Sequence, residues 1–193
     1  MERITSWKEI ELGDLGFYAG DGFLSESIEH LTHRDDLDGL PTPSHSLIIL
    51  SKSQVFESVK YTRIRPLMLY EDDFKAGRMI VFRPPLSKDL RAEALSEMTI
   101  KYNNAIYGWG QILAFIPVLW WRRLTGNQGI NVLPAGTVCS ELSLILCRKY
   151  YDKADSTAAR LLRWAYQLNK NTTDPALLMS CCIHDRLPVD LAG

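Results

Sequence analysis

The apolar residues change their period after residue 86, and this change limits the possible folds more than any other feature of the chain. Before it, short runs read as strands: Gly13-Asp14-Leu15-Gly16-Phe17-Tyr18, Ser46–Leu50, Val55–Val59, Thr62–Leu67 and Arg78–Phe82. Turn formers separate them, at Ala19-Gly20-Asp21-Gly22, across residues 33–44 and at Ser51–Gln54. One helical stripe interrupts the strands, with Leu24, Ile28 and Leu31 behind Ser25 as cap. After the change the spacing is helical. Ser87 precedes Leu90, Ala94, Met98 and Tyr102; Thr137 precedes Leu142, Ile145, Leu146 and Lys149; Ser156 precedes Ala158, Leu161, Leu162, Ala165 and Leu168. Strands followed by helices predict an α+β fold, a small and mainly antiparallel sheet packed against helices.

The 193 residues suit one domain, expected to span 1–193. With 46% apolar and 23% charged residues the chain is of ordinary globular composition, which excludes collagen-like, disordered and coiled-coil classes. A formal net charge of −1 gives no electrostatic case for a nucleic-acid partner. The N-terminal residues Met1–Trp7 contain no apolar stretch or cleavage site. The longest apolar run, Ile112–Trp121, is shorter than the ~20 residues of a membrane span and contains Pro117. A cytoplasmic location is therefore expected, with delivery outside the cell by another route left open. Cys139, Cys147, Cys181 and Cys182 are expected as reduced thiols. Cys181-Cys182-x-His184 lacks a second Cys/His pair, so no metal and no cofactor are expected, and the two thiols are expected buried near a C-terminal strand or turn.

Cys139 stands two residues after Thr137, in the first turn of its predicted helix. Unpaired N–H groups and the positive end of the helix dipole favour a thiolate there, and the thiolate is the nucleophilic form. A buried core cysteine on an amphipathic helix fits the same position. A thiolate nucleophile requires an imidazole partner. His45 stands at the entrance of the 46–50 strand, behind a Pro-x-Pro loop; His184 is its rival, while His30 and His33 lie at a helix end and in a polar loop. The imidazole in turn requires a group that fixes its tautomer. A hairpin turning about Ser51 sets His45 directly opposite Glu57 on the same sheet face. Other turn registers move Glu57 away, and it then reads as a solvent-facing strand glutamate.

These stretches, in this order, resemble the circularly permuted papain-like, NlpC-related hydrolases of the YiiX type, distant cousins of lecithin–retinol acyltransferase. Gly13–Phe17 with Leu24–Ile28 is similar to the family's opening Gly-Asp strand and helix. Ser44-His45-Ser46-Leu-Ile-Ile is similar to its His strand, and Val55-Phe56-Glu57 to the strand carrying its third polar residue. Thr137-Val-Cys139-Ser-Glu-Leu142 is similar to its Cys-Ser-Glu-Leu helix start, and Thr173–Leu178 to its Asp-Pro-x-x-Leu closing segment. The resemblance spans residues 13–178. It implies a permuted papain-like fold, with Cys139 as nucleophile, His45 as base and Glu57 as orienter, and a chain order of His, Glu, Cys that reverses papain's Cys before His.

The chain departs from that family in the longer, more apolar stretch Gly108–Arg123 and in the loop Gly126–Gly136 that follows. Tyr107 and Trp109 are candidate substrate-binding residues within and beside it. The stretch 109–123 fits an acyl-chain groove or lid, a peripheral membrane contact through Trp120, Trp121, Arg122 and Arg123, or a core helix broken by Pro117. The expected function is that of a cysteine hydrolase, amidase or peptidase in type, acting through an acyl-enzyme on peptide or peptidoglycan amides. Lipid ester or amide hydrolysis, acyl transfer, and a non-catalytic binding or structural module on the same scaffold are the alternatives.

Overall fold

The computed structural model describes residues 1–58, 62–102, 139–168 and 173–186. Six strands form one antiparallel sheet: β1 (Glu2–Ile4), β2 (Leu15–Tyr18), β3 (His45–Ile49), β4 (Gln54–Ser58), β5 (Thr62–Pro66) and β6 (Met79–Arg83). Their spatial order is β1-β6-β2-β3-β4-β5. Strands β2 to β5 run as a meander. The chain then returns to lay β6 on the free side of β2, with β1 outside it.

Seven α-helices accompany the sheet among the described residues: α1 (Phe23–Thr32), α2 (Glu71–Lys75), α3 (Lys88–Tyr102), α4 (Cys139–Lys153), α5 (Ser156–Leu162), α6 (Trp164–Gln167) and α7 (Pro175–His184). The α+β reading holds. The strands lie within a residue or two of their expected limits, and β1, three residues long, has no counterpart in the sequence reading.

Both sheet faces are covered, which explains the near-continuous apolar runs of β3 and β6. On one face Leu15, Phe17, Ile48, Phe56, Ile80 and Phe82 share a core with residues of α3, α4 and α7. On the other, Leu47, Ile49, Val55, Met79 and Val81 pack with Ile4, Ile10 and the single turn Leu67–Tyr70. Gly16 lies at the centre of the sheet because a Cβ there would come within 2.6 Å of Leu47 and 2.8 Å of Met79.

Several expected boundaries move for identifiable reasons. β2 begins at Leu15 rather than Gly13, because Gly13 turns at φ 83° and Asp14 is drawn into an ion cluster with Arg83 and Arg91. Ser25 does not cap α1; the helix starts at Phe23 behind Gly22, whose φ of 106° suits glycine. Ser87 caps α3 as expected, its Oγ accepting from Leu90 N at 3.4 Å. Ser156 does not cap α5; Asp155 does, accepting from the N–H groups of Thr157 and Ala158. The single helix expected from Ser156 to Leu168 divides at Arg163 into α5 and α6, and the Arg148 guanidinium takes the Ala165 and Leu168 carbonyls at its end. Cys181 and Cys182 lie in α7, not beside a strand or turn. Thr137, Tyr107, Trp109 and the stretches 108–123 and 126–136 fall outside the described residues.

Candidate functional site

His45 is the first residue of β3, and the loop before it is fastened to β2. Ser44 N donates to Tyr18 O at 3.1 Å, and Gly20 N donates to Ser44 Oγ at 3.0 Å. Tyr18 lies directly across the ladder from His45. The β3–β4 turn is centred on Lys52 rather than Ser51: Leu50 N donates to Gln54 O at 2.9 Å, and Ser53 N to Ser51 Oγ at 3.2 Å. This shifts the pairing by two residues, so Leu47 and not His45 stands opposite Glu57. A shift of two preserves side-chain parity, so Glu57 stays on the face of His45 as its diagonal neighbour. The imidazole Nε2 lies 3.3 Å from Glu57 Oε2.

Cys139 is the first described residue of α4. Two buried contacts hold that end of the helix. Ser143 Oγ meets Ser46 Oγ of β3 at 3.0 Å, and Ser140 Oγ donates to Thr173 O at 2.6 Å, just ahead of α7. The sulfur interacts with His45 as a hydrogen-bonded pair and receives the backbone N–H groups of Ser46 and Ser140. Cys139, His45 and Glu57 thus meet at one end of β3. The Cys139 residue is 6% exposed, the His45 side chain 15% and the Glu57 side chain 0%.

The charges at this end of β3 reinforce one another. Burial pushes the Cys139 thiol up, but the charge and hydrogen bond of His45, with the two N–H groups, bring it below its ordinary value. Burial works against the imidazolium; the Cys139 charge and hydrogen bond, then Glu57, outweigh it and hold His45 well above its ordinary value. Burial also opposes the Glu57 charge, yet His45, the Tyr70 hydroxyl and Arg65 bring that carboxyl down to about 2. Each shift favours the charged form: thiolate at Cys139, imidazolium at His45 and carboxylate at Glu57. Burial pushes the Cys147 and Cys182 thiols up instead.

Four residues around this group escaped the sequence reading. Tyr70 Oη donates to Glu57 Oε2 at 2.5 Å. Arg65 Nη1 and Arg63 Nε reach Glu57 Oε1 at 3.2 and 3.4 Å. Tyr18 packs edge-on against Tyr70 at 5.6 Å. The alternation Arg63-x-Arg65 on the strand after Glu57 was a usable signal, since it sets two cations on one face. Nothing near Tyr70 in the sequence marks it.

His184, the rival base, is turned away, its Nε2 bonded to Asp36 O at 2.8 Å. Among the described residues no cluster of three or more His, Cys, Asp or Glu side chains is arranged to hold a metal ion, and no helix is long and apolar enough to cross a membrane.

A scan against protein families finds no match, and a search of curated proteins finds no significant one. Among solved structures, the metalloprotein yiiX from Escherichia coli O157:H7 is similar at 19% identity and a TM-score of 0.45, over 85% of this chain and 86% of that one.

Proposed function

We propose that the chain is a cysteine hydrolase of permuted papain-like type, with Cys139 as nucleophile, His45 as acid and base, and Glu57 as the group that orients the imidazole. The observation that supports this is the convergence of the three side chains at the end of β3, with sulfur against imidazole and imidazole against carboxylate.

The Cys139 thiolate adds to an acyl carbonyl. The backbone N–H groups of Ser46 and Ser140 beside the sulfur serve the developing oxyanion. His45 gives its proton to the leaving nitrogen, the C–N bond breaks and a thioester remains. Water then attacks the thioester, His45 takes one of its protons, and the thiolate departs from the new carboxylic acid. The sum is amide plus water giving acid plus amine. Amide bonds of peptides or cell-wall peptides are the proposed substrates, and lipid esters or amides are the other arm of the test. Glu57 keeps the imidazole in one orientation and favours its charged form.

Iodoacetamide should alkylate Cys139 in the native chain well below about pH 8, whereas Cys147, Cys181 and Cys182 should resist until the protein unfolds. A panel of peptides, peptidoglycan fragments and phospholipids should contain a hydrolysed substrate. Cys139→Ala should abolish both labelling and turnover and leave the melting curve close to that of the wild type. Full activity of Cys139→Ala on a verified substrate overturns the mechanism. A Cys139 that resists alkylation until unfolding leaves a binding or structural module on the same scaffold.

A further inference from the structure

Resting on the reading of Cys139, His45 and Glu57 just given, we propose that Tyr70 and Arg65 are positioning residues, which set how strongly Glu57 holds the His45 imidazolium by competing for its two oxygens.

The geometry assigns the competition oxygen by oxygen. Oε2 receives both His45 Nε2, at 3.3 Å, and Tyr70 Oη, at 2.5 Å. The phenol is the closer donor, and both draw on the charge of the same oxygen. Oε1 receives Arg65 Nη1 at 3.2 Å and Arg63 Nε at 3.4 Å. A carboxylate has about four acceptor positions, so these donors fill it. Each donor that takes charge from the carboxylate leaves less for the imidazolium. Without them Glu57 would bind the imidazolium more tightly, and His45 would release its proton to a leaving group less readily.

The fold holds these donors in place. Register sets Arg63 opposite Glu57 and Arg65 opposite Val55, so both guanidinium groups start on the carboxylate's face. Tyr70 ends the single turn Leu67–Tyr70, is 6% exposed, and packs edge-on against Tyr18, the residue across the ladder from His45. Phenylalanine would fill the same volume, so the hydroxyl's hydrogen bond separates from its packing. Among the described residues, Cys139 from α4 and Tyr18 from β2 also face this cluster, with Asp21, Asp73 and Arg78 around Tyr18. Tyr70→Phe changes none of them.

The test follows the imidazole of His45 by nitrogen NMR through a pH titration of the intact chain, alongside the pH dependence of Cys139 alkylation by iodoacetamide. Tyr70→Phe should raise the His45 inflection by about half a unit to one unit, the worth of one charge-assisted hydrogen bond partly returned to the imidazolium. Arg65→Met should raise it in the same direction, and Arg65→Lys, which keeps the charge, should restore most of the wild-type value. A purely structural role would change melting temperatures and leave the inflections where they are. If Cys139 reacts as a thiolate in the wild type but neither Tyr70→Phe nor Arg65→Met moves the His45 inflection, this proposal fails and the proposed function stands. If the wild-type thiol itself is unreactive below about pH 8, the proposed function fails first. Should Tyr70→Phe not fold, the Arg65→Met and Arg65→Lys pair decides.

Discussion

Glu57 is a buried carboxylate with donors on both oxygens, and such a group ties stability to pH in one direction. Its folded value of about 2 lies below the ordinary 4.5. The stabilisation is therefore fully present above about pH 4.5 and is lost as the pH falls towards 2. A depression of that size corresponds to roughly 3 kcal/mol. Glu57→Gln should destabilise the protein by about that amount at neutral pH and by much less at pH 3, which denaturant titrations at the two pH values would measure. The same variant should raise the pH at which Cys139 becomes reactive, because the imidazolium loses its carboxylate. The Cys139–His45 pair behaves differently. As a thiolate–imidazolium pair it exchanges one proton internally, so folding to that form changes no net proton count between the ordinary values of the two groups, and the pair adds no slope there. At this scale the candidate residues were more legible in the sequence than their contacts. Cys139, His45 and Glu57 are marked by residue type and by their places on predicted elements. Their partners come from a turn and an edge strand whose side chains are aimed by tertiary packing, so Tyr70 was invisible and Arg65 only hinted at.

At the scale of elements, strands were more legible than helix starts. β2, β3, β4 and β6 are buried on both faces, and burial imposes apolar runs that no loop would carry. Helix starts depend on a single hydrogen bond, and several residues compete for it. Ser25 and Ser156 have the right chemistry but stand inside their helices, whereas Gly22 occupies the cap of α1 and Asp155 makes the capping bonds of α5. Asp174-Pro175 is a complete N-terminal signal for α7, with Asp174 Oδ1 accepting from Leu177 N at 2.7 Å and Pro175 in the first turn. It explains why Cys181 and Cys182 are helical. Asp174→Ala should cost about 1 kcal/mol in thermal or chemical unfolding. The pH inflection of Cys139 alkylation should not move, because Ser140 is bonded to the Thr173 backbone carbonyl rather than to the Asp174 side chain. A moved inflection would mean that α7 orders the thiol directly.

Across the whole molecule, the group of His45, Glu57 and Cys139 and a buried ion cluster stand at opposite ends of β3. The short strand β3 begins at His45, and where it ends, Ile49 N donates to Asp14 O at 2.9 Å. Asp14 is fully buried between β6 and α3, with Arg83 Nε and Arg91 Nη1 both at 2.9 Å from its Oδ1. Arg91 also reaches Glu11 at 3.0 Å, and Tyr150 of α4 donates to Gly13 O at 2.8 Å. The cluster therefore joins the sheet, α3 and α4 at the end away from the thiol. Removing one partner of a buried ion pair leaves an uncompensated charge and costs about 3–5 kcal/mol, a large share of the roughly 5–15 kcal/mol that holds a domain together. Asp14→Asn should lower stability by that amount. The molecules that remain folded should still alkylate Cys139 with the wild-type pH inflection, since the imidazole and its carboxylate stand at the other end of β3. Adding Arg91→Met to Asp14→Asn should recover part of the loss, because the second change removes one of the stranded cations. Denaturation midpoints of the single and double variants, read beside alkylation profiles, test the separation. If Asp14→Asn moved the alkylation inflection as far as Glu57→Gln does, the two ends would be coupled and the division of labour along β3 would be wrong.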